Sequence, residues 1–512
     1  MTEIKQIIDQ AKAAQAAARW PEAIDLYQKA LKLDPTSSEN LYHLGLCYFG
    51  AGQPKRAMEC CYYVLKEAPQ IWQSAIVIGK AHMLLGEIEK ADQAFNAVLK
   101  AIPGQPMALL GKADLALNRF GRPLEASQLV APLLSSPQYA MDAQLTALMS
   151  RLYDRDSLDT AEILTQDIKK FAQNYLQLPG QFLTPLPRKK KLKRQRLALL
   201  SDSFCVSPVY FLTIDRWQKL VQDHDLIIFN RGHRKDWASD IFRGLASEWI
   251  DVQHRLPESL AQEIANADID ILYDLGGWMD AIALRALSLK PARKQYKWVG
   301  GQSVTTGLSC FDGWIGDEMQ SPSSLQDFYT EPLMQIPEGY AQYTPPPYLP
   351  KPEKFKNQNP CIFSNPAKIS NAFLQHLKTI PGKKVFIHYL FKYEKTRTRI
   401  IEALGEENLE FITPKNHEEA LIALNAHERI IDTFPYSSGL TAYEAIAMGS
   451  KVEVVKVGTL FCERHTARIG ILEQDNPKTE NKSIQQKKSE LTSKVKSKPQ
   501  AKPKQPKVKK IS

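Results

Sequence analysis

Three short stretches of this 512-residue chain carry side chains that could grip a phosphate and move a proton. The first, DTFPYSSGLTAYEAIAM from Asp432 to Met448, reads as the end of a buried strand (429–434), a small-residue loop at Ser437-Ser438-Gly439, and a helix. Small residues let a ligand approach the backbone, and a helix start offers free N–H groups and the positive end of its dipole, which is a phosphate-binding geometry. Thr441 adds a hydroxyl, and Glu444, one turn on, could reach sugar hydroxyls. Lys368, in FSNPAKIS, follows a strand at 361–363 and precedes a helix with Ile369, Phe373 and Leu377 on one face. An ammonium there could neutralise a departing diphosphate. Lys415, in FITPKNH, is placed the same way after the next strand, with His417 beside it. Each feature alone reads as an ordinary strand–loop–helix junction or a surface lysine. Three consecutive junctions on one rim, each supplying a cation or amides with a carboxylate, suit a single nucleotide diphosphate. His417 is the one histidine of that rim and the candidate proton acceptor; a donor phosphate oxygen is an alternative, and Asp268 a reserve.

The elements that must position these residues alternate. From Arg196, apolar runs (RLALLSD, DLIIFN, IDILYDL, KQYKWVG) are separated by helical patterns, one of them carrying Trp237, Ile241, Leu245 and Trp249. After a Pro-rich break at 343–354 a second set follows: CIFSN, KVFIHYLF, LEFIT, RIIDTF and KVEVVKV. Strands alternating with helices predict parallel sheets covered on both faces. Two Rossmann-like halves, 196–345 and 355–475, would then face each other across a cleft at their strand C-terminal ends, where ligands bind such sheets.

Ahead of them lies a repeat. Prolines recur at 35, 69, 103 and 137, a period of thirty-four, in WPEAIDLYQKALKLDP, QPKRAMECCYYVLKEAP and EIEKADQAFNAVLKAIP. Gly45 and Gly79 fall where two helices would touch, whereas in the fourth unit Gly111 and Ala126 are out of step. The pattern resembles the tetratricopeptide repeat and predicts an α-solenoid over 1–177, whose concave face would hold a protein or peptide. Residues 178–195, Pro-punctuated and basic, read as a charged hinge.

Composition bounds the rest. The net charge of +10 equals the excess of twelve Lys over two Glu in 476–512, so the part before it is neutral and has no basic excess to offer nucleic acid. That Lys/Pro/Gln/Ser-rich tail is expected to be disordered. Seven scattered cysteines without a C-x-x-C pair argue against structural zinc and for a reducing, cytoplasmic compartment. The absence of a long apolar run and of an apolar N-terminal core points the same way. Neither G-x-G-x-x-G nor a Walker loop occurs, which weighs against nucleotide oxidoreductases and NTPases. Two D-x-D triplets, Asp154-Arg155-Asp156 and Asp268-Ile269-Asp270, are read as structural, so no metal site is expected.

DIDILYDLGGWMDAIALRALSLKPARKQYKWVGGQSVTTGL, FSNPAKIS and DTFPYSSGLTAYEAIAMGSKVEVV…VGTLFCERHTARIG resemble the SPINDLY/protein O-GlcNAc transferase family over roughly residues 10–475. The resemblance implies a solenoid followed by two Rossmann-like halves (a GT-B fold). It also implies a metal-independent, inverting transfer of a sugar, N-acetylglucosamine first among them, from a UDP-sugar to Ser/Thr of a protein. No cofactor other than that donor substrate is implied. Lys368 then stands for the diphosphate lysine with Asn365 beside it, and Lys415 for the lysine near the ribose. Glu444 replaces the aspartate on the ribose hydroxyls, Ser438, Gly439 and Thr441 fall on the diphosphate loop, and Arg464 matches an arginine of the closing motif. The chain departs from the pattern at Ser207, Trp278 and Ala420, where the family has histidines, and the lysine tail begins where its last helices should be. An adaptor that keeps the fold and UDP binding but has lost transfer is therefore the alternative.

Overall fold

The computed structural model describes residues 2–187 and 192–469. The 476–512 tail, residues 470–475 and part of the basic stretch lie outside these. The described residues up to 467 form one compact unit.

Ten helices come first: α1 (Thr2–Ala16), α2 (Trp20–Leu33), α3 (Ser38–Gly50), α4 (Pro54–Glu67), α5 (Gln73–Leu84), α6 (Ile88–Ala101), α7 (Pro106–Asn118), α8 (Pro123–Val130), α9 (Ala140–Tyr153) and α10 (Ala161–Phe171). The periodic prolines explain the boundaries. Pro35, Pro69 and Pro103 each lie two residues beyond the end of α2, α4 and α6, where the chain cannot continue as helix. Gly79 on α5 and Gly111 on α7 both face the ring of Phe95 on α6. A methyl group on either would lie 2.6 or 2.5 Å from a ring carbon. The out-of-step Gly111 therefore serves the same packing from a shifted position. Gly79→Ala and Gly111→Ala should each destabilise the solenoid. Alanine gains about 1 kcal/mol in helix propensity, but overpacking against a fully buried ring costs ~1–3 kcal/mol. A lowered urea midpoint at unchanged m-value would show it.

The next part holds β1 (Gln195–Ser201), α11 (Pro208–Leu220), β2 (His224–Asn230), α12 (Trp237–Leu245), β3 (Glu248–Asp251), α13 (Pro257–Asn266), β4 (Ile271–Asp274), α14 (Ala281–Leu287), β5 (Lys294–Lys297), β6 (Gly313–Gly316) and β7 (Leu333–Gln335). These seven strands make one parallel sheet in the order β3-β2-β1-β4-β5-β6-β7. Trp249, expected on a helix with Trp237, lies in β3 instead, because α12 ends at Leu245 and the chain returns to pair with β2.

The last part is β8 (Cys361–Ile362), α15 (Asn371–Thr379), β9 (Lys384–Ile387), α16 (Glu394–Leu404), β10 (Leu409–Ile412), α17 (His417–Asn425), β11 (Arg429–Ile431), α18 (Leu440–Ala447) and β12 (Lys451–Glu453). Its parallel sheet runs β10-β9-β8-β11-β12. The strand order reverses between β8 and β11, so the loops leaving these two neighbours diverge and open a crevice at their C-terminal ends.

Two connections differ from their sequence expectation. Residues 178–187 are stitched to the first sheet's flank, with Leu178 N donating to Ser288 Oγ (2.9 Å) and Leu183 N to Leu289 O (2.8 Å). The solenoid also packs directly on the second half. Phe120 meets Tyr393 edge-on at 6.0 Å, Arg122 Nε donates to Lys395 O (2.9 Å), and Arg399 donates to Gly121 O (2.8 Å). Among the described residues no helix is long and apolar enough to cross a membrane.

Candidate functional site

β11 delivers Asp432, buried, whose carboxylate accepts from Ser438 N (2.7 Å) and from the Thr466 hydroxyl. These bonds fold 432–438 back on itself. Ser437 then donates from both N (2.9 Å) and Oγ (2.8 Å) to Cys462 O, and its Oγ accepts from His465 N (2.9 Å). Its remaining polar group, the carbonyl, points at Lys368.

Lys368 comes from the neighbouring strand. After β8 a short 3-10 turn, Pro366–Lys368, is capped by the Asn365 side chain on Ala367 N (2.9 Å). The turn ends with the Lys368 ammonium donating to Ser437 O (2.9 Å) and lying 4.5 Å above the Tyr436 ring. Burial by these walls pushes the ammonium down to about 8, against the pull of Asp432. The same burial pushes the Asp432 acid up, and brings the His465 and His388 imidazoles, each with Lys368 nearby, down to about 3 and about 4. Both rings are therefore neutral near pH 7.

Beside this contact α18 begins. Its N-cap is Gly439, which has no side chain to cap it. Among the described residues the amides of Gly439, Leu440 and Thr441 have no hydrogen-bond acceptor. Three free N–H groups, a helix dipole and an ammonium thus share one corner, the chemistry that stabilises a diphosphate or its developing charge.

One turn further, Glu444 is 1 % exposed and holds His417 Nε2 at 2.7 Å. Tyr348 Oη lies 2.9 Å from His417 Nδ1. Burial, then the Glu444 charge, pushes the Tyr348 phenol up to about 12, so it stays neutral. Nε2–H donates to the Glu444 carboxylate, and the Tyr348 hydroxyl, which can donate or accept, meets Nδ1. His417, expected as the proton acceptor, is therefore engaged at both nitrogens, by Glu444 and by Tyr348.

The other expected residues divide. Ser438, Gly439, Thr441 and Glu444 lie along this one loop and helix, as drawn from the sequence. Lys415 does not join Lys368: it leaves edge strand β10, is exposed, and only its amide is held, by Glu419 (2.8 Å). The junctions are also not consecutive, since β9 lies between β8 and β10. Arg464 spends its donors on Gln320 O (3.0 Å), Met319 O (2.8 Å) and Gly458 O (2.7 Å), so it braces the two halves together. Asp268, at the N-terminal edge of β4, pairs with Arg293 on the rim opposite the strand C-termini, and the reserve role fails on position. Ser207 precedes α11 with its hydroxyl donating to Ser203 O (2.7 Å), Trp278 is buried against Phe171, and Ala420 is a buried residue of α17. Tyr436, Tyr153 and His465 were missed: an aromatic beside a serine pair carries no distinctive sequence signal. Among the described residues no group of three or more His, Cys, Asp or Glu could hold a metal ion.

Three comparisons bear on this site. Residues 17–100 match the family model described as anaphase-promoting complex, cyclosome, subunit 3. Two curated proteins, each described as a probable UDP-N-acetylglucosamine–peptide N-acetylglucosaminyltransferase SPINDLY, are similar. The Petunia hybrida protein is 25% identical over 271 residues, covering 48% of this chain and 29% of its own length. The Arabidopsis thaliana protein is 25% identical over 294 residues, covering 53% and 31%. The chain thus spans less than a third of the curated relatives it matches. A solved structure, a mutant of the Thermobaculum terrenum O-GlcNAc transferase, superposes with a TM-score of 0.58 at 22% identity, over 91% of this chain and 84% of that one. The resemblance expected from the motifs is found in the SPINDLY-named relatives, and the fold is shared with the solved structure over 91% of this chain.

Proposed function

We propose that the chain is a glycosyltransferase that moves a sugar from a nucleoside-diphosphate sugar, UDP-N-acetylglucosamine being the first to test, to a Ser or Thr hydroxyl of a protein held by the solenoid. The observation that carries this reading is the bond from the Lys368 ammonium to Ser437 O, next to the unpartnered amides of residues 439–441. The similarity to probable UDP-N-acetylglucosamine–peptide N-acetylglucosaminyltransferases supports it.

In an inverting transfer the acceptor oxygen attacks the anomeric carbon from the face opposite the diphosphate. The bond from that carbon to the β-phosphate oxygen breaks, and its electron pair stays on the diphosphate. Lys368 and the α18 amides are placed to hold that charge, and fixed donors in a dry site contribute several kcal/mol. Glu444 would orient the ribose hydroxyls, His417 keeping its carboxylate in place. The hydroxyl proton goes to a phosphate oxygen of the donor, or to His417 once its bond to Tyr348 opens. No metal ion and no cofactor enters this scheme.

The tied state of His417 and the residues Ser207, Trp278 and Ala420 favour a second reading, an adaptor that binds UDP without transfer. Incubation with UDP- and GDP-sugars separates the two. Hydrolysis or peptide labelling supports the enzyme, and UDP binding without turnover supports the adaptor.

The titration of Lys368 sets a pH dependence. Its charged form is needed for a phosphate contact, and burial lowers its folded value to about 8. UDP affinity should hold steady below that value and fall about tenfold per pH unit well above it. Isothermal titration across pH 6–10 would read this; a flat profile would remove Lys368 from the contact.

A further inference from the structure

The Asp154-Arg155-Asp156 triplet, with Tyr153 before it, sits where α9 of the solenoid ends, and three successive residues reach three different walls of the anion corner. Tyr153 stacks on Tyr436, with centroids 4.8 Å apart and planes 11° from parallel, on the ring that underlies the Lys368 ammonium. Asp154, buried, accepts from Asn371 N (3.0 Å), the first residue of α15 and three beyond Lys368. Arg155 pairs with buried Glu463. Glu463 in turn accepts from Thr459 N (2.8 Å) and Leu460 N (3.0 Å), shaping the turn whose Cys462 carbonyl receives both donors of Ser437.

We propose that the Tyr153–Asp154–Arg155 corner of the solenoid is a positioning element of the anion site, setting the seat of Lys368 and of the 436–438 loop. The contacts reach the same group from three sides: the ring under the ammonium, the turn that carries the lysine, and the segment that orients the carbonyl it donates to. None of the three is among the groups proposed to hold the phosphate. The solenoid is thus built into the wall of the site, and a solenoid shifted by what it binds would alter the grip on the anion, with the reverse effect required by linkage.

The inference deepens the proposed function but is testable without it. In the full chain, competitive labelling of Lys368 as a function of pH, read by mass spectrometry, follows that one ammonium with no nucleotide present. The wild type should titrate at about 8. Tyr153→Ala, which opens a ring-sized gap behind Tyr436 and admits water, should move Lys368 up by about one pH unit or more, and Tyr153→Phe should restore the wild-type value. In a parallel titration UDP should bind about tenfold more weakly to Y153A and as the wild type does to Y153F. If Y153A does not fold, Arg155→Gln carries the same test through Glu463. A folded Y153A or R155Q with an unshifted Lys368 would overturn the inference. So would failure of both to fold, which would make the corner a general folding element. A wild type that binds no UDP, with the labelling shift intact, would overturn the nucleotide reading and leave the positioning role standing.

Discussion

Lys368→Ala is expected to weaken UDP binding by about 100-fold, ~3 kcal/mol, and to reduce any sugar transfer at least as much. The size follows from where the ammonium sits. It is walled by the Tyr436 ring and donates to one carbonyl, so a phosphate arriving at the α18 amides would meet a charge that little bulk water screens. The truncation also leaves Ser437 O without its donor, at a cost of about 1–3 kcal/mol in stability. Lys368→Met, which retains most of the side-chain volume, separates the two effects: it should lose the nucleotide while keeping more of the fold. Isothermal titration with UDP beside a urea melt reads both.

The second large effect is structural. Lys297, on β5, is wholly buried; its ammonium donates to Asp274 O (3.0 Å), Val299 O (2.9 Å) and Gly300 O (2.7 Å) and lies 3.5 Å from the Asp274 carboxylate. That carboxylate also accepts from Gly276 N (3.0 Å) and Gly277 N (3.1 Å). The pair clamps two glycine turns at the C-terminal edge of the first sheet, and Ser303, just beyond, reaches across to Tyr436 Oη (2.8 Å). Lys297→Met leaves a buried carboxylate uncompensated and should cost about 3–5 kcal/mol. Adding Asp274→Asn should recover part of that loss, giving a coupling energy of about 1 kcal/mol or more by urea denaturation of the four cycle members.

Sequence patterns reached some of these features and not others for physical reasons. β1, β2, β4 and the five strands of the second half are short apolar runs because parallel strands are covered on both faces, so period and length sufficed. β3 escaped because Trp249 continues the four-residue spacing of Trp237, Ile241 and Leu245, and only pairing with β2 distinguishes strand from helix there. The Lys368 turn and the loop and helix start at 437–444 were legible as β-loop-α junctions, and adjacency of β8 and β11 brings them together. Lys415 has the same local signature but leaves an edge strand two places from β8, which sheet order alone decides. The Arg155–Glu463 pair joins residues 308 positions apart. No local spacing encodes it, since it depends on how the solenoid docks.

A crystal structure of the full chain with UDP tests the central claim most directly. The account predicts the β-phosphate within about 3 Å of Lys368 Nζ and of the Leu440 or Thr441 amide, with the ribose toward Glu444. A nucleotide bound elsewhere, or a Lys368 ammonium still held by Ser437 O with the phosphates out of reach, would contradict it.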